Sequence, residues 1–135
     1  MWKLNWEGNT GTIDEYTELH QTLEDLNNEF KNKRPVFVQI QNYKDDCMCI
    51  GIGEPRGYSF VEYYSGDGML AKHVEGENAG DETVVFFMGD SETDFFAKDT
   101  IRFETALKIV DEFSHNNTVA DFVNWIDDGD QHSNV

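Results

Sequence analysis

Cys47 and Cys49 stand two residues apart in an apolar run and form the pair in this 135-residue chain that most resembles a thiol site. On a strand both would point to one face. A bridge across so short a gap fits disulfide geometry poorly. A metal would need two more ligands at suitable spacing, and none lies nearby in the sequence. Two buried core thiols are the plainer reading. The histidines, His20, His73, His115 and His132, are scattered, with no two within helical or strand reach of one another. His115 falls at the end of a helix, where a cation suits the dipole. Gly51-x-Gly53-x-x-x-Gly57 has the glycine content of a phosphate loop but lacks its Gly-Lys-Ser/Thr ending and the helix that should follow. Glycines on a crowded strand face and in a turn account for it. Ser65-Gly66-Asp67-Gly68 and Asp127-Asp128-Gly129-Asp130 have the composition of calcium loops without the spaced ligands or the closing Glu.

Glu62 is the one carboxylate set apart by its surroundings, lying between Val61 and Tyr63 in an aromatic segment. Desolvated there, its pKa would rise and it could act as an acid or base. A solvated or ion-paired Glu is the commoner outcome. No nucleophile, base and orienting group come together in the sequence. The expectation is therefore no catalytic residue, no metal and no cofactor. A small hydrolase using Glu62 or a carboxylate pair is the competing enzymatic reading.

These residues are carried on recognisable elements. Trp2, Leu4 and Trp6 alternate with Lys3, Asn5 and Glu7, a half-buried strand pattern that Asn9-Thr10-Gly11 should break. Thr12-Ile13-Asp14-Glu15 matches a capping box. Tyr16, Leu19, Leu23, Leu26 and Phe30 then recur as one helical stripe, with Lys31, Lys33 and Arg34 at its end and Pro35 as a stop. Val36 to Gln41, Cys47 to Ile52 and Tyr58 to Tyr64 read as three strands joined by turns at 42–45 and 55–57. Such short connections favour an antiparallel meander. Residues 65–82 read as a long loop with a short strand at Met69 to His73. Val84-Val85-Phe86-Phe87-Met88 shows no alternation, as in a central strand covered on both faces. Phe95-Phe96 suggests an edge strand. Phe103, Ala106, Leu107, Val110 and Phe113 place a second helix over about 103–114. A turn and a strand through Trp125 follow, and the polar tail, 128–135, should fray.

The sum is a single domain, 1–135, of α+β class: a mostly antiparallel sheet of about five to six strands with two main helices packed against it. Leu19, Leu23, Leu26, Val38, Ile50, Phe60, Val85, Phe87, Leu107 and Val110 are the expected core. No stretch approaches ~18 apolar residues, and the first residues lack a signal pattern, so the expected place is the cytoplasm.

Charge narrows the function. Asp and Glu number 27 against 10 Lys and Arg, a net −17, and from Glu75 onward 15 acids face 3 bases. With 39% hydrophobic and 13% aromatic residues the chain nevertheless has the material for a core. Such acidity argues against nucleic acid or anionic lipid as a direct partner. A partner with a basic face would explain it; adaptation to a saline habitat is the other explanation. The acids gather in three loop-like places: Glu75, Glu77, Asp81 and Glu82; Asp90, Glu92 and Asp94; and Asp127, Asp128 and Asp130. These, with Trp125 as an aromatic anchor, are the expected partner-binding residues. Self-repulsion points to a monomer.

Ile50-Gly51-Ile52-Gly53, a turn, and Tyr58-Ser59-Phe60-Val61-Glu62-Tyr63-Tyr64 resemble the central strands of the first-numbered family of immunity proteins from bacterial polymorphic toxin systems. The apolar strand Val84 to Phe87, Ile101 before a helix with Ala106, Val110, Glu112 and Phe113, and a terminal Val123-x-Trp125 continue the likeness over roughly 36–127. The resemblance implies a cytoplasmic protein that binds and blocks the C-terminal domain of a toxin encoded beside it. Toxins of such pairs are often nucleases or nucleic-acid deaminases. An acidic adaptor unrelated to immunity is the competing binding function.

Overall fold

The computed structural model describes residues 1–116 and 118–128. The expected frayed tail, beyond Asp128, lies outside the described residues.

Strand β1 (Trp2–Trp6) is followed by β2 (Asn9–Ile13), and the two pair antiparallel from Trp2↔Ile13 to Trp6↔Asn9. Glu7 and Gly8 make the turn with φ of 43° and 77°. Left-handed conformation at both central residues matches the twist of the flanking strands. This corrects the expectation that residues 9–11 end the strand and that Thr12 caps a helix. Thr12 lies in the ladder opposite Lys3. Helix α1 (Tyr16–Phe30) starts from Glu15, which is extended and makes no side-chain cap bond.

Leu19, Leu23, Leu26 and Phe30 form the buried stripe of α1. Tyr16 does not belong to it: it is exposed, its ring edge-on to His115 at 4.7 Å. Strands β3 (Val36–Gln41) and β4 (Cys47–Ile52) pair antiparallel over their full length. The third strand splits into β5 (Tyr58–Ser59) and β6 (Val61–Tyr64), and β7 (Ala71–Val74) crosses the expected loop. Next come β8 (Thr83–Met88), β9 (Ser91–Phe96), β10 (Ile101–Arg102), α2 (Phe103–Asn116) and β11 (Trp125–Asp127).

The main sheet runs β11-β7-β6-β4-β3-β1-β2, all antiparallel. Strand β8 joins β3 through one parallel pair, Val36↔Phe87, and carries β9 antiparallel on its other side. That makes nine strands, more than expected, with β5 and β10 forming a separate short ladder. The class is α+β, as expected.

Strand alternation divides the sheet into two faces. On one, Val36, Val38 and Ile40 stand beside Ile52, Ile50 and Met48, all fully buried, and both helices pack against β4. On the other, Phe37, Gln39 and Gln41 stand beside Gly51, Cys49 and Cys47, followed by Glu62 and Tyr64 of β6 and His73 of β7. The β8–β9 hairpin folds over one end of this second face. Phe86 and Phe95 bring their rings to within 5.3 and 6.4 Å of Phe37. A Cβ on Gly51 would stand 2.6 Å from the Phe86 ring, so the glycine there is a packing requirement.

Eight of the expected core residues, Leu19, Leu23, Leu26, Val38, Ile50, Phe60, Leu107 and Val110, are buried. Val85 and Phe87 are only half-buried; Val84 and Phe86 take their places. Strand β8 is not central. It meets β3 only at its end, so its outer face is covered in part, by Arg34 lying 4.5 Å from the Phe87 ring centre.

Candidate functional site

Cys47 and Cys49 sit on the sheet face away from the helices, both as free thiols. Burial pushes both thiols up, and for Cys49 the neighbouring Cys47 and Glu62 add to it. A protonated thiol is a poor nucleophile and a poor metal ligand. Glu62 is half-buried and accepts a hydrogen bond from the Tyr64 hydroxyl. Burial, then that bond, push the Tyr64 phenol up. Among the described residues no group of three or more His, Cys, Asp and Glu side chains is arranged to hold a metal ion.

His20 has the most elaborate environment of the described histidines. Its Nδ1 lies 2.9 and 3.0 Å from the two carboxylate oxygens of Asp111, and its Nε2 lies 2.7 Å from Glu24. The Asp111 hydrogen bond, against some desolvation and with help from Glu24, raises the imidazole pKa above 6.5. Both ring nitrogens are thus engaged with carboxylates. Ser114, one turn beyond Asp111, points its hydroxyl at the Asp111 carbonyl instead. This constellation ties α1 to α2 across a groove of about 540 Å³ and supplies no activated nucleophile.

The expected partner-binding acids fall in different settings. Glu75 lies beside β11, its backbone N–H donating to the Asn124 carbonyl and its side chain accepting from Asn124 Nδ2, both at 2.9 Å. Glu77 accepts from the Arg102 backbone N–H at 2.9 Å and the Arg102 guanidinium at 3.3 Å. Burial alone would raise its carboxyl, but bonds from Thr105 and Arg102 together hold it below the usual carboxylate range. Asp81 is exposed, with Lys98 Nζ at 3.5 Å. Glu82 accepts from the Tyr58 hydroxyl at 3.3 Å. Asp90, Glu92 and Asp94 are all exposed on the β8–β9 hairpin, where Glu92 and Asp94 share one face of β9 opposite Phe87 and Val85. Asp127 is exposed, opposite Lys72. Asp128 is half-buried, with its Oδ1 2.6 Å from His73 Nδ1. Asp130 lies outside the described residues.

Glu75, Asp127 and Asp128 therefore share the β7–β11 margin, while Asp90, Glu92 and Asp94 ride on the hairpin. Trp125 is half-buried, packs against the core cluster and donates its Nε1–H to the Ala120 carbonyl at 2.7 Å.

One arrangement was not anticipated from the sequence. Between β6, β7 and β11 on one side and the hairpin on the other runs a groove of about 340 Å³. Its floor is aromatic: the Phe60 ring lies 4.2 Å from Phe95 and stacks on His73 at 5.6 Å. Glu62, Asp99 and Asp128 line it. The available signal was the alternation of Phe60, Glu62 and Tyr64, which puts them on one strand face. The partners His73, Phe95 and Asp128 come from distant segments through register alone.

A search among curated proteins finds no match. Residues 7–127 match a protein family described as Immunity protein Imm1. That span extends the likeness seen from residue 36 back through β2 and α1, and takes in both faces of the sheet. The chain belongs to the Imm1 family of immunity proteins.

Proposed function

We propose that this protein neutralises a cognate bacterial toxin domain, a nuclease or a nucleic-acid deaminase, by covering its basic surface with carboxylates. The observation that carries this reading is a net charge of −17 on a domain of an immunity family. An enzyme that acts on nucleic acid grips phosphates with Lys and Arg. An inhibitor that presents carboxylates competes for those same side chains. Opposite charge also raises the encounter rate, which matters when the toxin must be caught before it acts.

In this reading the protein works in the cytoplasm as a monomer, by binding and without catalysis. Asp90, Glu92 and Asp94 on the hairpin and Glu75, Asp127 and Asp128 at the β7–β11 margin supply the attractive field. The test is co-expression with the toxin domain encoded beside it. Co-purification at a fixed ratio and survival of the producing cell are expected. Cell death with both proteins present and folded would overturn the proposal.

A further inference from the structure

Two of the three arginines of this chain are held in the same way. Arg34 lies 4.5 Å from the Phe87 ring centre and bonds Glu7 at 2.9 Å. Arg56 lies 4.9 Å from the Tyr58 ring centre and bonds Glu54 at 2.8 Å. Each guanidinium is thus held by an aromatic face and a carboxylate at once. Arg102, the remaining arginine, is paired with Glu77.

The groove over Phe60 presents the same two components with no arginine of this chain in it. Its rings are the half-buried Phe95 and His73 packed on the buried Phe60, and its carboxylates are Glu62, Asp99 and Asp128, the last already paired with His73. No Lys or Arg lines it among the described residues. We propose that this groove is a socket for an arginine side chain of the toxin domain. Arginine fits better than lysine because its flat, weakly hydrated guanidinium stacks on rings and forks onto carboxylates. Glu62 and Asp128 are already oriented, by Tyr64 and His73 respectively, so little side-chain ordering is needed on binding. A desolvated arginine in a central pocket is the kind of contact that dominates an interface and sets its dissociation rate.

The proposal rests on the immunity reading above, and the experiment separates the two. The toxin domain encoded beside this protein is the probe, and association and dissociation are followed by surface-based kinetics. Glu62→Gln with Asp128→Asn should weaken binding by at least about tenfold, mainly through faster dissociation. Ile126→Arg, at the exposed edge of the groove, should weaken it similarly by supplying a guanidinium from within; thermal melts confirm that both variants stay folded. Phe95→Leu removes the ring face while keeping an apolar side chain. Glu104→Gln, which neutralises one carboxylate at an exposed position of α2 away from the groove, should alter affinity by less than about twofold. On the toxin side, one arginine should lose affinity on change to Lys or Ala and show no further loss with the Glu62/Asp128 variant. If wild-type protein binds but the folded groove variants bind equally well, the socket is wrong and the immunity reading stands. If wild-type protein does not bind the toxin domain at all, both fall.

Discussion

Asn27 Oδ1 accepts the backbone N–H of Gly53 at 2.8 Å, and both residues are buried. A side chain in the last turn of α1 thereby satisfies the donor that β4 leaves at its end. Gly53 itself has φ +80°, and a Cβ there would meet Phe30 at 2.6 Å, so helix and strand end approach at backbone distance. Changing Asn27 to Ala leaves that N–H without its partner. The expected cost is about 1–3 kcal/mol, the penalty of an unsatisfied buried polar group. Denaturant midpoints measure it, and a change under about half a kilocalorie would mean that water replaces the amide.

Gly51 is confined by the Phe86 ring. Gly51→Ala should destabilise by about 1–3 kcal/mol, the range for overpacking a filled core. Adding Phe86→Leu should recover part of the loss, since the clash is with that ring. Thermal unfolding of the single and double variants tests the coupling; strictly additive losses would rule it out.

His20 should make stability depend on pH in a defined direction. Its folded pKa is raised, first by Asp111. The charged residues around it are Glu24, Asp111, Glu112 and Lys108, with His115 and Tyr16 the other titratable rings at the groove. A raised folded pKa gives stabilisation that is full below 6.5 and is lost as pH rises through the folded value. The melting-temperature gap between wild type and His20→Gln should therefore be wider near pH 5.5 than at about pH 8.5. A gap that widens toward alkaline pH would contradict this assignment.

Steering by the acidic surface predicts a salt-dependent association rate with the toxin domain. Asp90, Glu92 and Asp94 are exposed on the hairpin, so replacing them with Asn and Gln leaves the core untouched. Association should slow severalfold and its salt dependence should flatten, with a smaller effect on dissociation. Stopped-flow rates between low and physiological salt decide it. A wild-type rate indifferent to salt would move the explanation of the acidity to solubility or a saline habitat.

What could be read from the sequence follows from where periodicity is visible. The meander β3-β4-β6 and helix α2 show clear apolar patterns and lie where expected. Strand β2 carries Asn9, Thr10, Gly11 and Thr12, with little apolar signal, and is held by its backbone ladder to β1 and by the Glu7-Gly8 turn. Strand β8 is apolar at nearly every position, so its phase is invisible locally. Only its place beside β3 decides that Val84 and Phe86 are inside. Most acids of the candidate surface were legible as exposed carboxylates, but the half-burial of Asp128 against His73 was not. The Phe60 groove was not, because it depends on the register that sets Glu62 opposite His73 and on a hairpin returning Phe95 to the same face.

The hairpin also bears on how the molecule meets copies of itself. Strand β9 pairs with β8, and among the described residues its other edge carries no strand. An open edge is a template on which a second chain can add a strand and begin to aggregate. Here that edge carries Glu92 and Asp94, exposed and two residues apart. A copy docking edge to edge would bring the same two carboxylates against them, and like charges in apposed strands repel. A basic strand would meet no such barrier. The carboxylates on β9 thus set against edge-to-edge pairing of two copies a repulsion that a cationic strand would not meet.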